Sequence, residues 1–292
     1  MTPGRGAPED RATPVVVVPC FNEARRLDER AFLALAESAR VRLLFVDDGS
    51  TDATPAVLAR LAGAHPGIEV FTLPANAGKA EAVRRGLLVA LRGGADTVGY
   101  YDADLATPPA ELLRLAAELA RRPEVSGVFG CRVARLGSTI DRSALRHYLG
   151  RAYATLASVA LGITVYDTQC GAKLFRVGDT FAAAVARPFR SSWSFDVELL
   201  HRLLSGEGTG VALEPDAFVE LPLETWHDVH GSKMRAGPAL AALLDLFAIG
   251  RDRARRRPGS PSRPAVMAPR RRGGPGPAAR GRPDDPPGRR RA

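Results

Sequence analysis

The sequence predicts an α/β protein built on a mainly parallel central sheet flanked by helices. Three observations predict it. Apolar runs alternate with helical patterns through the first 250 residues. Acidic clusters stand at the ends of two of those runs, where open α/β sheets bind ligands. The chain of 292 residues is 45% hydrophobic, ample for one large α/β domain.

Residues 15–19 are the first buried strand and 27–39 a helix. The strand at 41–46 ends in Asp47-Asp48-Gly49-Ser50, and a helix is expected over 51–61. A strand at 69–73 leads to a helix at 78–91, and the strand at 97–101 runs into Asp102-Ala103-Asp104. Pro108-Pro109 opens the next helix. Over 144–163, Leu145, Leu149, Ala152, Leu156, Val159 and Ile163 recur at helical spacing, with Arg142, Arg146 and Arg151 crowding the first half. Leu240, Leu243, Leu244 and Phe247 form a second stripe.

No apolar stretch reaches the ~18 residues of a membrane span. The first thirteen residues are polar and Pro/Gly-rich, and Val15–Val18 is too short for a signal sequence, so the chain reads as cytoplasmic. Cys20, Cys131 and Cys170 fit neither a disulfide framework nor a zinc spacing and read as small buried residues. The net charge of +9 is localised: residues 251–292 hold fourteen Arg against three Asp, leaving the preceding 250 residues slightly acidic. That Arg/Pro/Gly-rich segment has almost no large apolar residue and reads as disordered. The organisation is thus a flexible 1–13, a domain over 14–235, an amphipathic helix at 236–250 and a disordered tail at 251–292.

Asp102 and Asp104 are the sharpest chemical signal. Side chains at i and i+2 of an extended segment point the same way. Two converging carboxylates suit Mg²⁺ or Mn²⁺, which take few protein ligands and complete their shell with substrate phosphates. Asp48, at a strand end, is placed to accept hydrogen bonds from the N–H groups of a base, and Asp52 reads as a helix cap. Asn76-Ala77-Gly78-Lys79 sets a glycine turn and a cation at a helix N-terminus, a natural neighbour for an anionic donor. His227 and His230 read as loop histidines and stay outside the metal site.

VVVVPCFNE (15–23), LLFVDDGSTDAT (43–54) and the Asp-x-Asp together resemble the family 2 glycosyltransferases. DTQCGAKLFR (167–176), WSFDVELL (193–200) and WHDVHGSK (226–233) look like the dolichyl-phosphate β-glucosyltransferases, with polyprenyl-phosphate mannosyltransferases as cousins. The resemblance covers residues 14–245. It implies a GT-A fold, Rossmann-like in character, and inverting transfer from a nucleotide sugar such as UDP-glucose to a lipid phosphate. It assigns Pro19, Phe21, Glu23, Val46 and Asp48 to the nucleoside pocket. It assigns Asp102, Ala103 and Asp104 to metal and diphosphate, and Arg132 and Lys233 to the cations around the phosphates. Lys79 joins the donor set from its place at the helix N-terminus. Ala106, where the mannosyltransferases carry Gln, and Asp228, near the place of an Arg, favour the glucosyltransferase-like branch.

A phosphate acceptor is already ionised at neutral pH, so catalysis would rest on positioning and charge stabilisation. Arg132, Arg146 and Arg151 are the candidates to grip the acceptor phosphate. Asp196, with Arg132 the candidate catalytic pair, would orient the acceptor or act as base, with helix capping as its rival role. A lipid acceptor brings the enzyme to the inner membrane face as a peripheral protein, through the helices at 144–163 and 236–250. The basic tail would add attraction to anionic lipid. It lacks the interleaved aromatics of a stacking surface, which ranks nucleic acid behind lipid. A soluble or polysaccharide acceptor is the alternative, and a tail-driven nucleic-acid binder is a third reading.

Overall fold

The computed structural model describes residues 13–141, 144–228 and 236–256. Four strands open the fold: β1 (Val15–Cys20), β2 (Arg42–Asp47), β3 (Ile68–Thr72) and β4 (Thr97–Tyr101). Helices α1 (Glu29–Glu37), α2 (Thr54–Ala64) and α3 (Lys79–Arg92) connect them, and α4 (Pro109–Arg121) leads to β5 (Gly127–Cys131). After the short β6 (Thr139–Ile140) come α5 (Ala144–Leu161), β7 (Ala172–Arg176), α6 (Asp179–Ala186) and α7 (Phe195–Ser205). Strands β8 (Phe218–Pro222) and β9 (Thr225–Trp226) precede α8 (Ala236–Arg256).

The main sheet runs β3-β2-β1-β4-β7-β5-β8. Its parallel half is buried on both faces, so β1 and β2 are almost continuous Val, Leu and Phe. Strand β7 is antiparallel to both β4 and β5 and inserts between them. The sheet is therefore mainly parallel, as expected, with one reversal in its middle. Strands β6 and β9 pair separately, in parallel.

The expected boundaries shift where side chains claim the backbone. Asp28 accepts from Ala31 N at 3.0 Å and starts α1 two residues later than expected. Helix α2 starts at Thr54, three residues later than expected, after residues 51 and 52 give their N–H groups to Asn22 Oδ1 in the preceding turn. The three described cysteines are buried thiols.

Helix α5 corrects a simple reading of its stripe. Ala154, Ala157, Ala160 and Leu161 face the core, while Leu149, Leu156 and Val159 face outward, Val159 at 68% exposure. Ile163 lies beyond the helix and is buried, and Leu145's side chain lies outside the described residues. Helix α8 behaves alike: Ala242, Leu246 and Ile249 pack inward, and Leu243, Leu244 and Phe247 point out. It runs six residues past 250, so the expected tail boundary is too early: Asp252 reaches His201 Nε2 at 2.9 Å, and Arg253 lies against Gly162. The tail reading for 257–292 and the reading for residues 1–12 lie outside the described residues. Among those described, no helix is long and apolar enough to cross a membrane.

Candidate active site

The loops following β1, β2 and β4 meet at the carboxyl end of the sheet, and hydrogen bonds knit the first two together. Asn22 takes a positive φ of 55° and accepts from Thr51 N at 2.9 Å, while its own N–H donates to Ser50 Oγ at 3.0 Å. Glu23 N donates to Thr54 Oγ1 at 2.8 Å and Ala24 N to Asp52 Oδ2 at 3.3 Å. Asp52 also accepts from Thr54 N just ahead of α2, but the N-cap position is Ala53, so Asp52 ties the two loops together and is not the expected cap. The neighbouring Thr54 hydroxyl and N–H hold its carboxyl below the ordinary value. Pro19 is half-buried and Phe21 is 42% exposed. Val46 and Ala103 are buried in the core.

Asp48 is engaged by the loop that follows β3. It is buried, and it accepts from Ala77 N at 2.7 Å, Gly78 N at 2.8 Å and Asn76 Nδ2 at 3.0 Å. Its carboxylate thus grips the loop in front of α3. Gly49 makes the approach possible: it holds φ at +66°, and a Cβ there would sit 2.5 Å from the Ala75 carbonyl carbon. The gripped loop delivers Lys79, whose ammonium lies 2.6 Å from Asp102 Oδ1. Partial burial pulls the Lys79 pKa down, its side chain being 46% exposed, and Asp102, with Asp196 and Asp104 behind it, outweighs that and raises it. One crevice therefore contains the acid after β2, the lysine of α3 and the aspartates after β4.

Asp102 N donates to Gly171 O at 2.9 Å, and a Cβ on Gly171 would fall 2.2 Å from Asp102 Oδ2. Only glycine lets β7 pass this carboxylate. Asp104 accepts from Ala106 N at 3.1 Å across a turn in which Leu105 takes a φ of 54°. Burial first, and the Asp102 charge second, push the Asp104 carboxyl above its ordinary value. Glu23, paired to Arg26 at 2.5 Å, borders Asp104, and burial raises its carboxyl too.

Asp102 and Asp104 fit a hard divalent cation. Asp102 Oδ1 is buried and receives no well-directed hydrogen bond: the Lys79 ammonium stands at ion-pair distance but off the hydrogen-bonding direction. Among the described residues no group of three or more His, Cys, Asp or Glu side chains is gathered for a metal. A Mg²⁺ or Mn²⁺ ion held here would take two protein carboxylates and complete its shell from phosphate and water.

Beyond β7 the site is built from buried ion pairs. Arg132 is bidentate to Asp167, Nε to Oδ2 at 2.6 Å and Nη2 to Oδ1 at 2.8 Å, and stacks over Trp226 at 5.3 Å. Nε and Nη2 are thus engaged by Asp167, and the same guanidinium belongs to the wall of the neighbouring cleft. Burial alone would raise the Asp167 carboxyl, but Arg132 outweighs burial and holds it below the ordinary value. Glu220 anchors the same loop by accepting from Asp167 N at 2.7 Å and Tyr166 N at 2.8 Å. Arg151 donates to Tyr166 O at 3.1 Å and lies 4.7 Å over the Tyr166 ring. Arg132, His147, Arg151, Tyr153, Thr168 and Gln169 line a cleft of about 160 Å³. The side chain of Arg146, and the whole of Arg142, His230 and Lys233, lie outside the described residues; His227 is exposed.

Asp196 sits in the first turn of α7 but does not cap it; the capping position belongs to Ser194. Its Oδ1 receives the Tyr100 hydroxyl and the Lys173 ammonium, the latter at 3.1 Å. Sequence reasoning misses Tyr100, Asp167, Lys173 and Glu220. The signal for Lys173 is its place in CGAKLF, a charge inside an otherwise apolar strand.

Comparison with known proteins agrees with this geometry. Residues 15–180 match the family model described as glycosyl transferase family 2. A dolichyl-phosphate beta-glucosyltransferase of Trichomonas vaginalis is 31% identical over 246 residues, covering 80% of this chain and 69% of the relative. A polyprenol monophosphomannose synthase of Mycolicibacterium smegmatis is 27% identical over 226 residues, covering 75% of this chain and 84% of the relative. Among solved structures, glucosyl-3-phosphoglycerate synthase from Mycobacterium tuberculosis, in complex with Mn²⁺, UDP and glucosyl-3-phosphoglycerate, superposes with a TM-score of 0.59 at 20% identity. That match covers 82% of this chain and 79% of the other and shows a shared fold, the GT-A α/β architecture expected from the sequence.

Proposed function

The chain belongs to glycosyl transferase family 2, and from that premise we propose that it moves a sugar from a nucleoside diphosphate onto a polyprenyl phosphate. The observation that carries this reading is the single crevice in which Asp48 sets the loop of Lys79 and Lys79 meets Asp102. Such a crevice holds a donor by its diphosphate end. UDP-glucose is the favoured donor, because the 31%-identical relative is named for glucosyl transfer to dolichyl phosphate.

The acceptor phosphate would enter from the cleft beside α5, where Arg151 stands at the wall and the Arg132–Asp167 pair fixes the frame. An ionised phosphate oxygen attacks the anomeric carbon as the bond to the diphosphate oxygen breaks, and the configuration inverts. Asp196 orients the incoming group. Lys79 and the N-terminus of α3 sit beside the departing diphosphate and stabilise its charge. Mg²⁺ or Mn²⁺ held by Asp102 and Asp104 would supply Lewis-acid relief of charge on the leaving group.

A lipid acceptor requires a membrane surface, and the outward faces of α5 and α8 support one. These neighbouring helices pack against the body through Ala154, Ala157, Ala160, Ala242, Leu246 and Ile249 and turn Leu149, Leu156, Val159, Leu244 and Phe247 outward. Exposed Arg251 and Arg255 follow on α8, suited to anionic headgroups of the cytoplasmic face.

The test is incubation of purified protein with UDP-[¹⁴C]glucose, Mn²⁺ and a short polyprenyl phosphate. Label should pass into the organic phase. Label that stays aqueous with every nucleotide sugar would remove the lipid acceptor and leave a soluble or polysaccharide one.

A further inference from the structure

Lys173 ties the two halves of the crevice together, and the transfer scheme above does not use it. It lies in β7, the reversed strand, opposite Tyr100 of β4 on one side and Phe129 of β5 on the other. Its ammonium is 3% exposed as a residue, 5.1 Å over the Tyr100 ring and 6.0 Å from the Phe129 ring. Burying a lysine is costly without partners, and it has two. Nζ donates to Cys170 O at 2.6 Å and to Asp196 Oδ1 at 3.1 Å. Cys170 precedes Gly171, the residue against which Asp102 rests through its N–H and its Oδ2. The same ammonium thus grips the turn that supports Asp102 and the carboxylate that begins α7. Tyr100, the second donor to Asp196 Oδ1, lies two residues before Asp102 on β4. Both donors to Asp196 therefore belong to the strands that carry the aspartate site, not to α7 itself.

A second buried cation gives the contrast. Arg202, 4% exposed, donates to Ala184 O, Arg187 O and Pro188 O and pairs with Glu198 at 2.7 Å. Its partners are carbonyls and one carboxylate within the α6–α7 packing, away from the crevice. Arg202 closes a structural gap, whereas Lys173 registers one site carboxylate against another.

We propose that Lys173 is a positioning residue that, with the Tyr100 hydroxyl, holds the Asp196 carboxylate in fixed register with the Asp102 turn. The inference rests on the transferase reading, with Asp196 acting on the acceptor. Lys173→Met should lower kcat for transfer by about 10²-fold, the scale of a small misplacement of a catalytic group. The KM for the nucleotide sugar should stay within about threefold, since an interaction lost from the reacting geometry appears in kcat. In an Asp196→Asn background the same substitution should cost less than about threefold more, because coupled residues are not additive. Arg202→Met calibrates simple destabilisation, with loss of Tm but retained kcat below the melting range.

A Lys173→Met enzyme with full kcat beside an impaired Asp196→Asn enzyme overturns the positioning role and leaves the transferase reading intact. An Asp196→Asn enzyme with full kcat defeats the assigned role of Asp196, and this inference with it. If Lys173→Met does not fold, Tyr100→Phe carries the test. It should lower kcat, by about tenfold for one lost hydrogen bond to a charged group, and lose that effect in Asp196→Asn. Unchanged kcat in Tyr100→Phe would overturn the proposal.

Discussion

The two halves of the crevice are stabilised by different means. On the donor side, loops after β1 and β2 are joined by short polar side chains to backbone N–H groups: Asn22 to residues 51 and 52, Thr54 to Glu23, and Asp48 to residues 77 and 78. On the acceptor side, β5, β7 and α7 are joined by buried charges: Arg132 with Asp167 and Lys173 with Asp196. Backbone-directed bonds fix loop shape, while burial and the Asp102 charge leave the Asp104 carboxyl with little to lose from neutralisation. Buried pairs fix position but depend on both partners. The donor side should therefore yield variants that are stable and inactive, and the acceptor side variants that are unstable.

The largest effect should come from the donor side. Asp104→Asn is expected to lower turnover by about 10²–10³-fold, the scale of losing one charge-stabilising group. Its melting temperature should hold or rise, because burial and Asp102 already penalise the ionised carboxylate. Turnover and thermal melting measured on one preparation check both halves. An active Asp104→Asn enzyme would remove the metal site proposed at this turn.

On the acceptor side, Asp167→Asn should destabilise the fold by about 3–5 kcal/mol, since it leaves the Arg132 guanidinium buried without its counter-charge. The sign with pH follows from the depressed Asp167 carboxyl. Its stabilisation is fully present above the unfolded value of about 3.9 and is lost as pH falls through the lower folded value. Asp167→Asn should therefore show a flatter acid limb in denaturant midpoints than the parent. Equal acid limbs would place the charge coupling of the acceptor half elsewhere.

The same division governs what the sequence made legible. Donor-side residues are contiguous and stand at strand ends, so VDDGS and DAD announce both strand and chemistry within a few positions. Their roles are less legible: Asp48 looks like a ligand contact, yet its oxygens are taken by N–H groups about 30 residues further on. Acceptor-side pairs are long-range. Arg132 and Asp167 are separated by 35 residues and Lys173 and Asp196 by 23, and the reversed β7 that brings the latter together carries no periodic signal of its direction. Glu111 looks like a surface residue of α4 but is buried, accepting from Glu224 N and Thr225 N at 3.0 Å. Helix α5 shows the limit of periodicity. Its large apolar stripe is correctly spaced, but spacing names a face and not what the face meets, and here the alanine face meets the core.

That outward face sets the smallest expected change in the folded protein and a sharp test of where it works. Leu244 and Phe247 are exposed at 62% and 66%, so Leu244→Asp and Phe247→Asp should alter stability by no more than about 0.5 kcal/mol, as surface substitutions do. On anionic vesicles each side chain buried in the interface would contribute about 1.5–3 kcal/mol, or about 10–100-fold in partitioning. Sedimentation with vesicles should show that loss, and transfer in detergent should not. The two measurements separate docking from chemistry because α8 reaches the body through Ala242, Leu246 and Ile249, on its other face. Unchanged sedimentation in the double variant would mean that the apolar sides of α5 and α8 serve something other than a bilayer.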